Sequence, residues 1–318
     1  MPKNQRYAFG PIPSRRLGRS LGINNIPPKV CSYSCVYCQI GRTVKMQIER
    51  QEFYKAEEIL RDVEKQIEKV KNMKESIDYL TFVPDGEPTL DLHLGEEIRC
   101  LRKLELKIAV ISNSSLIWKI DVRDDLIDAD WVSLKIDALS PDVWRKINRP
   151  HGSLRLDQIL DGIAKFARTF KGELATETML VQGLNDRTEE IEKISGFVAR
   201  IKPKKSYVAV PIRPPAEKWV KPPEEYSINR AYQAFKEKSI DTEYLIGYEG
   251  NAFAFIGNVE EDLLSIMSVH PMREDAVREF LKKAGTDWKV MEKLIEERKL
   301  VKAHFKNKIF YLRKLMDE

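Results

Sequence analysis

The sequence predicts an α/β fold in which a mainly parallel sheet curls into a full or partial barrel, followed by a small carboxyl-terminal unit. Strand-like and helix-like segments alternate from Asn72 to Ala209, the pattern of parallel strands joined by covering helices. A proline-dense stretch, Pro211 to Pro223, then breaks the alternation, and beyond Asn258 the pattern changes to three helices and a hairpin. With 318 residues, 42% of them hydrophobic, the chain can bury one large core, or a main domain with an appendage.

Each element has its own justification. Between Lys55 and Met73, Leu60, Val63, Ile67 and Val70 fall on one helical face with charges elsewhere. The apolar run Asp78 to Val83 is a strand, and Leu94, Ile98 and Leu101 mark the next helix. Strand Lys107 to Ser112, a short helix near Asp124 and strand Trp131 to Asp137 follow. Ser140-Pro141 resembles an N-cap with a first-turn proline. It is followed by a helix around Ile159, Ile163 and Phe166 and a strand from Ala175 to Val181. Asp186 with Glu189 resembles a capping pair for the helix of Ile191, Ile194, Val198 and Ile201, and Ser206 to Val210 is the next strand. A helix around Ile228 to Lys236 and a strand around Tyr244 to Tyr248 end this unit, expected to span residues 1–250. Right-handed crossovers curl such a sheet, with the chemistry at the carboxyl ends of the strands. The final 258–318 unit has helices at Glu260 to Ser268, Arg273 to Ala284 and Asp287 to Arg298. Strands at Leu300 to Phe305 and Ile309 to Arg313 complete the outline of a winged helix.

Charged residues make up 32% of the chain and the net charge is +5. That is a mild basic bias, compatible with a polyanionic partner without requiring one. Met1 to Gly18 does not resemble a secretory signal, and no run approaches the roughly 18 apolar residues of a membrane span. The expected location is the cytoplasm, with no membrane partner.

Three of the four cysteines, Cys31, Cys35 and Cys38, lie in one short loop, and the fourth is Cys100. In a reducing compartment such spacing favours a metal or catalytic role. Three thiolates can bind three irons of a [4Fe–4S] cube and leave the fourth open, whereas clusters that only carry electrons normally use four. The alternatives are inert small hydrophobes, half of a zinc site, or a conventional cluster with Cys100 as fourth ligand.

The CxxxCxxC spacing with Tyr37 before the last cysteine resembles the radical S-adenosylmethionine (radical SAM) superfamily. The likeness extends to Phe82-Val-Pro-Asp-Gly86-Glu87-Pro88-Thr89, similar to its Gly-Glu-Pro motif, and to Ser112-Asn113-Ser114, Ser133-Leu-Lys135-Ile-Asp137-Ala138 and Met179-Leu-Val-Gln-Gly183-Leu-Asn185-Asp186 at later strand ends. Gly10 to Gly22 and Ile212-Arg213-Pro214-Pro215 resemble a subgroup often grouped with tRNA wyosine-base synthases. The resemblance implies a partial (β/α)6 barrel, and a cluster on Cys31, Cys35 and Cys38 whose open iron chelates S-adenosylmethionine. It also implies an electron donor of flavodoxin or ferredoxin type. Tyr37, Gly86, Glu87, Pro88, Asn113, Lys135 and Asp137 are the implied cofactor contacts, with Glu87 also catalytic. In the family, reductive cleavage yields a 5′-deoxyadenosyl radical that abstracts hydrogen from a substrate. Gly86 suits close backbone approach and Glu87 suits an ammonium. Asn113, Lys135 and Asp137 suit ribose hydroxyls or a carboxylate, although Asn113 also suits a helix cap and Asp137 a pair with Lys135.

Wyosine-base synthases carry a second cluster on further cysteines, and only Cys100 remains here, so the substrate stays open. Arg149 and His151 suit an anionic substrate or a plain surface loop. Lys302, His304 and Lys306 alternate with Val301, Ala303 and Phe305, a basic hairpin face that suits RNA or a protein partner. Three function classes remain: a radical enzyme acting on RNA, a peptide or a metabolite; an activating enzyme that installs a radical on a protein; and a non-enzymatic iron–sulfur or winged-helix regulator.

Overall fold

A computed structural model describes residues 6–247, 251 and 253–314. The expected boundary at Gly250 and the Tyr248 end of the preceding strand lie outside the described residues.

The chain opens with a hairpin, β1 (Ala8–Ser14) and β2 (Gly18–Ile23), which the sequence reading did not anticipate. Two short strands, β3 (Val30–Cys31) and β4 (Lys45–Met46), pair in parallel and bracket the thiol loop. Helix α1 (Ala56–Asn72) buries Val63, Ile67 and Val70, as its spacing predicts, but Ile59 rather than the half-buried Leu60 completes the face; Glu57 and Glu58 lie in its first turn and Lys69 and Lys71 in its last. Strand β5 (Tyr79–Phe82) leads through a 3₁₀ turn, Pro88–Leu90, to α2 (Leu94–Leu101) and β6 (Lys107–Ser112). Next come α3 (Ile120–Leu126), β7 (Trp131–Lys135), α4 (Pro141–Asn148), α5 (Leu156–Thr169) and β8 (Glu173–Met179). Then follow α6 (Thr188–Ile201), β9 (Lys205–Ala209), α7 (Glu225–Glu237) and β10 (Thr242–Leu245).

One eight-stranded sheet runs β1-β2-β5-β6-β7-β8-β9-β10. Only β1 is antiparallel, and from β2 onward every pair is parallel. Because β10 does not return to β1, the result is a curled partial barrel. The alternation of strand side chains sorts the two faces. On β6, Ile108 and Val110 face outward into the helix-covered core, while Ala109 and Ile111 face inward with Leu17, Trp131 and Tyr207. Arg15, in the β1–β2 turn, donates to the Tyr244 carbonyl on β10 at 3.3 Å and so spans the gap between the sheet edges.

The last segment holds α8 (Val259–Val269), β11 (Met272–Arg273), α9 (Glu274–Lys283), α10 (Lys289–Glu296), β12 (Leu300–Phe305) and β13 (Lys308–Arg313). Its sheet runs β11-β13-β12. This segment shares one hydrophobic cluster with Phe9 and Ile12 of β1, with Val83 packed against it.

One expected cap holds by position and one is corrected. Ser140 is the N-cap of α4 and Pro141 opens it, although the Ser140 hydroxyl is drawn to the Glu190 carboxylate and makes no cap bond. Arg187, not Asp186, precedes α6, since Asp186 instead accepts from the Gly183 N–H at 2.8 Å within its own turn. Among the described residues no helix is long and apolar enough to cross a membrane.

Candidate functional site

Cys31, Cys35 and Cys38 line one cavity of ≈ 190 Å³ together with Gly86, Glu87, Asn113 and Lys135. Two amides aim at sulfur: Asn113 Nδ2 lies 3.4 Å from Cys31 Sγ, and Asn148 Nδ2 lies 3.5 Å from Cys35 Sγ. Burial pushes all three thiols upward, Cys35 to about 12. They are therefore neutral on their own, and only a bound cation makes them thiolates at neutral pH. Among the described residues no three His, Cys, Asp or Glu side chains converge on a single ion. The ligands of a cubane sit on separate irons and need no such convergence. Three thiols in one cavity thus fit a cluster better than a zinc ion. Cys100, half-buried on α2, lines neither this cavity nor the one beside it.

The turn after β5 is clamped against the thiol loop. Glu87 N donates to the Val30 carbonyl at 3.2 Å, and Lys29 N donates to the Asp85 carbonyl at 2.6 Å. A Cβ on Gly86 would stand 1.9 Å from the Val30 oxygen, so only glycine allows this approach. The Glu87 side chain caps the 3₁₀ turn that begins with Pro88. Its Oε1 accepts from Thr89 N at 3.2 Å and from the hydroxyls of Thr89 and Ser112 at 2.7 Å each. Oε2 accepts from Asn113 N at 2.7 Å. Burial raises this carboxyl, and these donors oppose the rise. Asp85 is buried and pushed up to about 7, with Arg313 of β13 and Lys29 pulling the other way.

The strand ends on the far wall form a second network. Lys135 does not pair with Asp137; its Nζ lies 2.6 Å from Glu177 Oε1, its register partner on β8. Arg16 takes the other Glu177 oxygen. Burial works against the Glu177 charge, but the two cations outweigh it and hold the carboxyl down to about 2. Asp137 accepts from the Tyr37 hydroxyl, from Asn148 Nδ2 at 2.7 Å and from Met179 N at 2.8 Å. Lys135 Nζ also stands 5.0 Å from the Tyr37 ring centroid. Asn113 Oδ1 accepts from Ser115 N at 2.8 Å, leaving its amide for Cys31 and Ser32.

Of the expected cofactor contacts, Tyr37, Gly86, Glu87, Asn113 and Lys135 line the thiol cavity, whereas Pro88 and Asp137 stand behind its wall. Several others there were given no role by the sequence, although Arg16 and Arg213 lie in the segments that resemble the wyosine-base synthase subgroup. Arg16 arrives from the unanticipated hairpin and Glu177 from mid-strand. Gln39 binds the Val269 carbonyl at 2.8 Å and accepts from Arg213 at 3.0 Å. Arg213 also donates to His270 Nε2 at 2.9 Å, so His270 is a neutral acceptor. Alternating polar and apolar residues along β8 were the one available signal for Glu177. Arg149 instead clamps Glu217 together with Arg42, and neither Arg149 nor His151 lines either cavity. In the tail hairpin, Lys306 lies in the turn, at φ 46°, rather than on the strand face.

Residues 25–195 match the Radical SAM superfamily. The chain is 49% identical over 310 residues to a UPF0026 protein of Methanocaldococcus jannaschii, covering 97% of this chain and 96% of that one. Among solved structures, a radical SAM methyltransferase from Sphaerobacter thermophilus superposes with a TM-score of 0.54 at 14% identity, over 71% of this chain and 66% of that chain. A structure of TYW1 with a lysine–pyruvate adduct bound superposes with a TM-score of 0.50 at 21% identity, over 69% and 73%. At these identities the structural matches speak for the shared fold.

Proposed function

Given that the chain belongs to the radical SAM superfamily, we propose that Cys31, Cys35 and Cys38 hold a [4Fe–4S] cluster beside a bound S-adenosylmethionine, and that the enzyme abstracts hydrogen from a substrate in the adjoining cavity. Membership makes the chain an enzyme of SAM-dependent radical chemistry, which sets the non-enzymatic regulator aside. The observation that carries the proposal is the meeting of the three thiols, the Gly86–Pro88 turn and the ends of β6 and β7 in one cavity. Bound there, the cluster and S-adenosylmethionine supply one-electron cleavage of a sulfonium and a carbon radical able to take hydrogen.

The residues around them bind and orient. Asn113 and Asn148 donate to the sulfurs of Cys31 and Cys35, which favours the thiolate form. Gly86 brings backbone close to the ligand. Glu87 is fixed from three sides, and its Oε2, with the Asn113 amide as partner, offers a lone pair to an ammonium. Pro88 stiffens the turn. Tyr37, locked on Asp137, presents its ring beside Lys135, so Lys135 would meet the polar end of the cofactor while Asp137 holds Tyr37 from behind. Val269 and Gln39 close the wall and keep water out. A flavodoxin or ferredoxin type protein serves as electron donor. Residues 1–250 form the catalytic unit. Residues 258–318 form a winged-helix-like unit whose basic hairpin recruits the substrate or partner, RNA among the candidates.

Anaerobic reconstitution tests the assignment. About four irons per chain are expected by the cubane stoichiometry, lost on Cys31→Ala, Cys35→Ala or Cys38→Ala and kept on Cys100→Ala. Dithionite with S-adenosylmethionine should then release 5′-deoxyadenosine slowly. A cluster that survives Cys31→Ala but not Cys100→Ala overturns the ligand set, and an intact cluster that yields no deoxyadenosine overturns the reaction.

A further inference from the structure

Beside the thiol cavity lies a second one of ≈ 300 Å³, inside the curl of the sheet; Cys38 lines both, and Tyr37, Ile111, Lys135 and Val269 are among the other residues they share. The turn between β1 and β2 lines one end of it with Arg15, Arg16 and Leu17. The inward faces of β6, β8 and β9 line its sides, with Val269 and His270 of the tail opposite. We propose that this cavity takes a small substrate whose anionic group, a carboxylate or a phosphate monoester, docks on Arg16 while an aliphatic body lies along Ile12, Ile111, Met179 and Leu245. The proposal rests on the reading of the neighbouring cavity as the cofactor site.

Arg16 is the reason for an anion. Its Nη1 is engaged by Glu177, but its Nε is buried and has no acceptor among the described residues. An unmet buried donor on a cation is unfavourable, and an anionic oxygen at that position completes the guanidinium's donor set. The surrounding charge agrees. Arg15, Arg16 and Lys135 line the cavity against one carboxylate, Glu177, which Arg16 and Lys135 share. The hydrogen bond of Arg15 goes to a neutral carbonyl, and it has no carboxylate partner among the described residues. Arg16 does not line the thiol cavity read as the S-adenosylmethionine site, and the proposal takes the anion on Arg16 as one distinct from that cofactor's carboxylate. Size restricts the ligand as well. A volume of ≈ 300 Å³ is at the small end for ligand sites and admits a small molecule rather than a stretch of folded chain or duplex.

The test uses the full chain with its cluster reconstituted, without reductant, at low salt. Three probes of one shape are titrated calorimetrically: 4-methylpentanoate, isopentyl phosphate and the neutral 4-methylpentanamide. The proposal expects one or both anions to bind about tenfold or more tightly than the amide, and which anion wins identifies the group. Arg16→Gln should remove that preference while the visible absorbance of the cluster and S-adenosylmethionine binding persist. If Arg16→Gln fails to fold, Arg16→Lys keeps a cation beside Glu177 while removing the Nε donor that the anion would use, and it too should lose most of the preference. An amide that binds as well as the anions, or an anion preference that survives both variants, overturns the proposal. Loss of cluster or S-adenosylmethionine binding in the unsubstituted chain would strike the reading of the thiol cavity instead.

Discussion

Replacing Gly86 by alanine should damage the cysteine loop without touching a cysteine. The new Cβ would lie 1.9 Å from the Val30 carbonyl oxygen and 2.9 Å from the Val30 carbon. Both are backbone atoms, so no side chain can swing away. Restoring even 3.0 Å requires about 1.1 Å of main-chain displacement at the residue before Cys31. The same displacement strains the Glu87 N–H bond to Val30 and the Lys29 N–H bond to Asp85. A misplacement of about 1 Å near reacting groups typically costs about 100-fold in rate, or about 3 kcal/mol at the usual tenfold per 1.4 kcal/mol. Overpacking independently lowers stability by about 1–3 kcal/mol. The assays are iron content per chain, S-adenosylmethionine affinity by calorimetry and the thermal midpoint. Gly196→Ala is the matched control. Its Cβ meets nothing within 4 Å on α6, so it should stabilise the helix by about 1 kcal/mol. If Gly86→Ala keeps wild-type iron content and cofactor affinity, the clamp between the two loops is not what positions the site.

Further outcomes are expected elsewhere. Asp91 and Glu97 lie fully buried near the Pro88 turn, where burial, helped by Asp125, pushes Asp91 up to about 7, and burial, helped by Asp91, pushes Glu97 well above the ordinary carboxyl value. A carboxyl raised by folding stabilises below its unfolded value and loses that contribution as pH rises toward the folded one. The urea midpoint should therefore fall between about pH 4 and pH 7 or above, and Glu97→Gln should flatten the fall; an unchanged slope in the variant would acquit the pair. Glu177 acts in the opposite sense: held down to about 2, it contributes stability above the ordinary carboxyl value that is lost as pH drops from about 4 toward 2, a loss absent in Glu177→Gln. Ser112→Ala removes a 2.7 Å donor from buried Glu87 and should lower stability by about 1.5–3 kcal/mol, with weaker S-adenosylmethionine binding; a variant that matches wild type in both would show that Glu87 does not need this anchor. If the tail hairpin contacts RNA, changing Lys302, Lys306 and Lys308 to Glu should shrink the salt dependence of binding, whereas equal slopes would point to a protein partner.

What could be read from the sequence was local or periodic. Cys31, Cys35 and Cys38 stand out by spacing alone, and the helices announce themselves through faces such as Val63, Ile67 and Val70. The strand alternation placed Asn113, Lys135 and Asp137 at neighbouring strand ends, because parallel strands joined by short crossovers leave little choice. Choice of partner was not local. Lys135 and Asp137 are two apart, yet the register of β7 against β8 sets Lys135 opposite Glu177 and leaves Asp137 to Tyr37 and Asn148. Arg16 meets Glu177 across 161 positions of chain, which no window of sequence contains. Ser140 lost its cap bond to Glu190 for the same reason: a carboxylate from another helix attracts the hydroxyl more strongly than the backbone of its own turn.

The wall that Val269 gives to both cavities also bears on the order in which the molecule is made. Synthesis runs from the amino terminus, and domains generally fold as they emerge. The thiols at 31, 35 and 38 leave the ribosome long before Val269, and the strands that surround them follow well ahead of α8. Until the tail exists, the cavity lacks the wall that Gln39 later fastens through the Val269 carbonyl, and β1 keeps Phe9 and Ile12 without the partners that finally cover them. An incoming cofactor would therefore meet a more open vestibule during synthesis than in the finished chain.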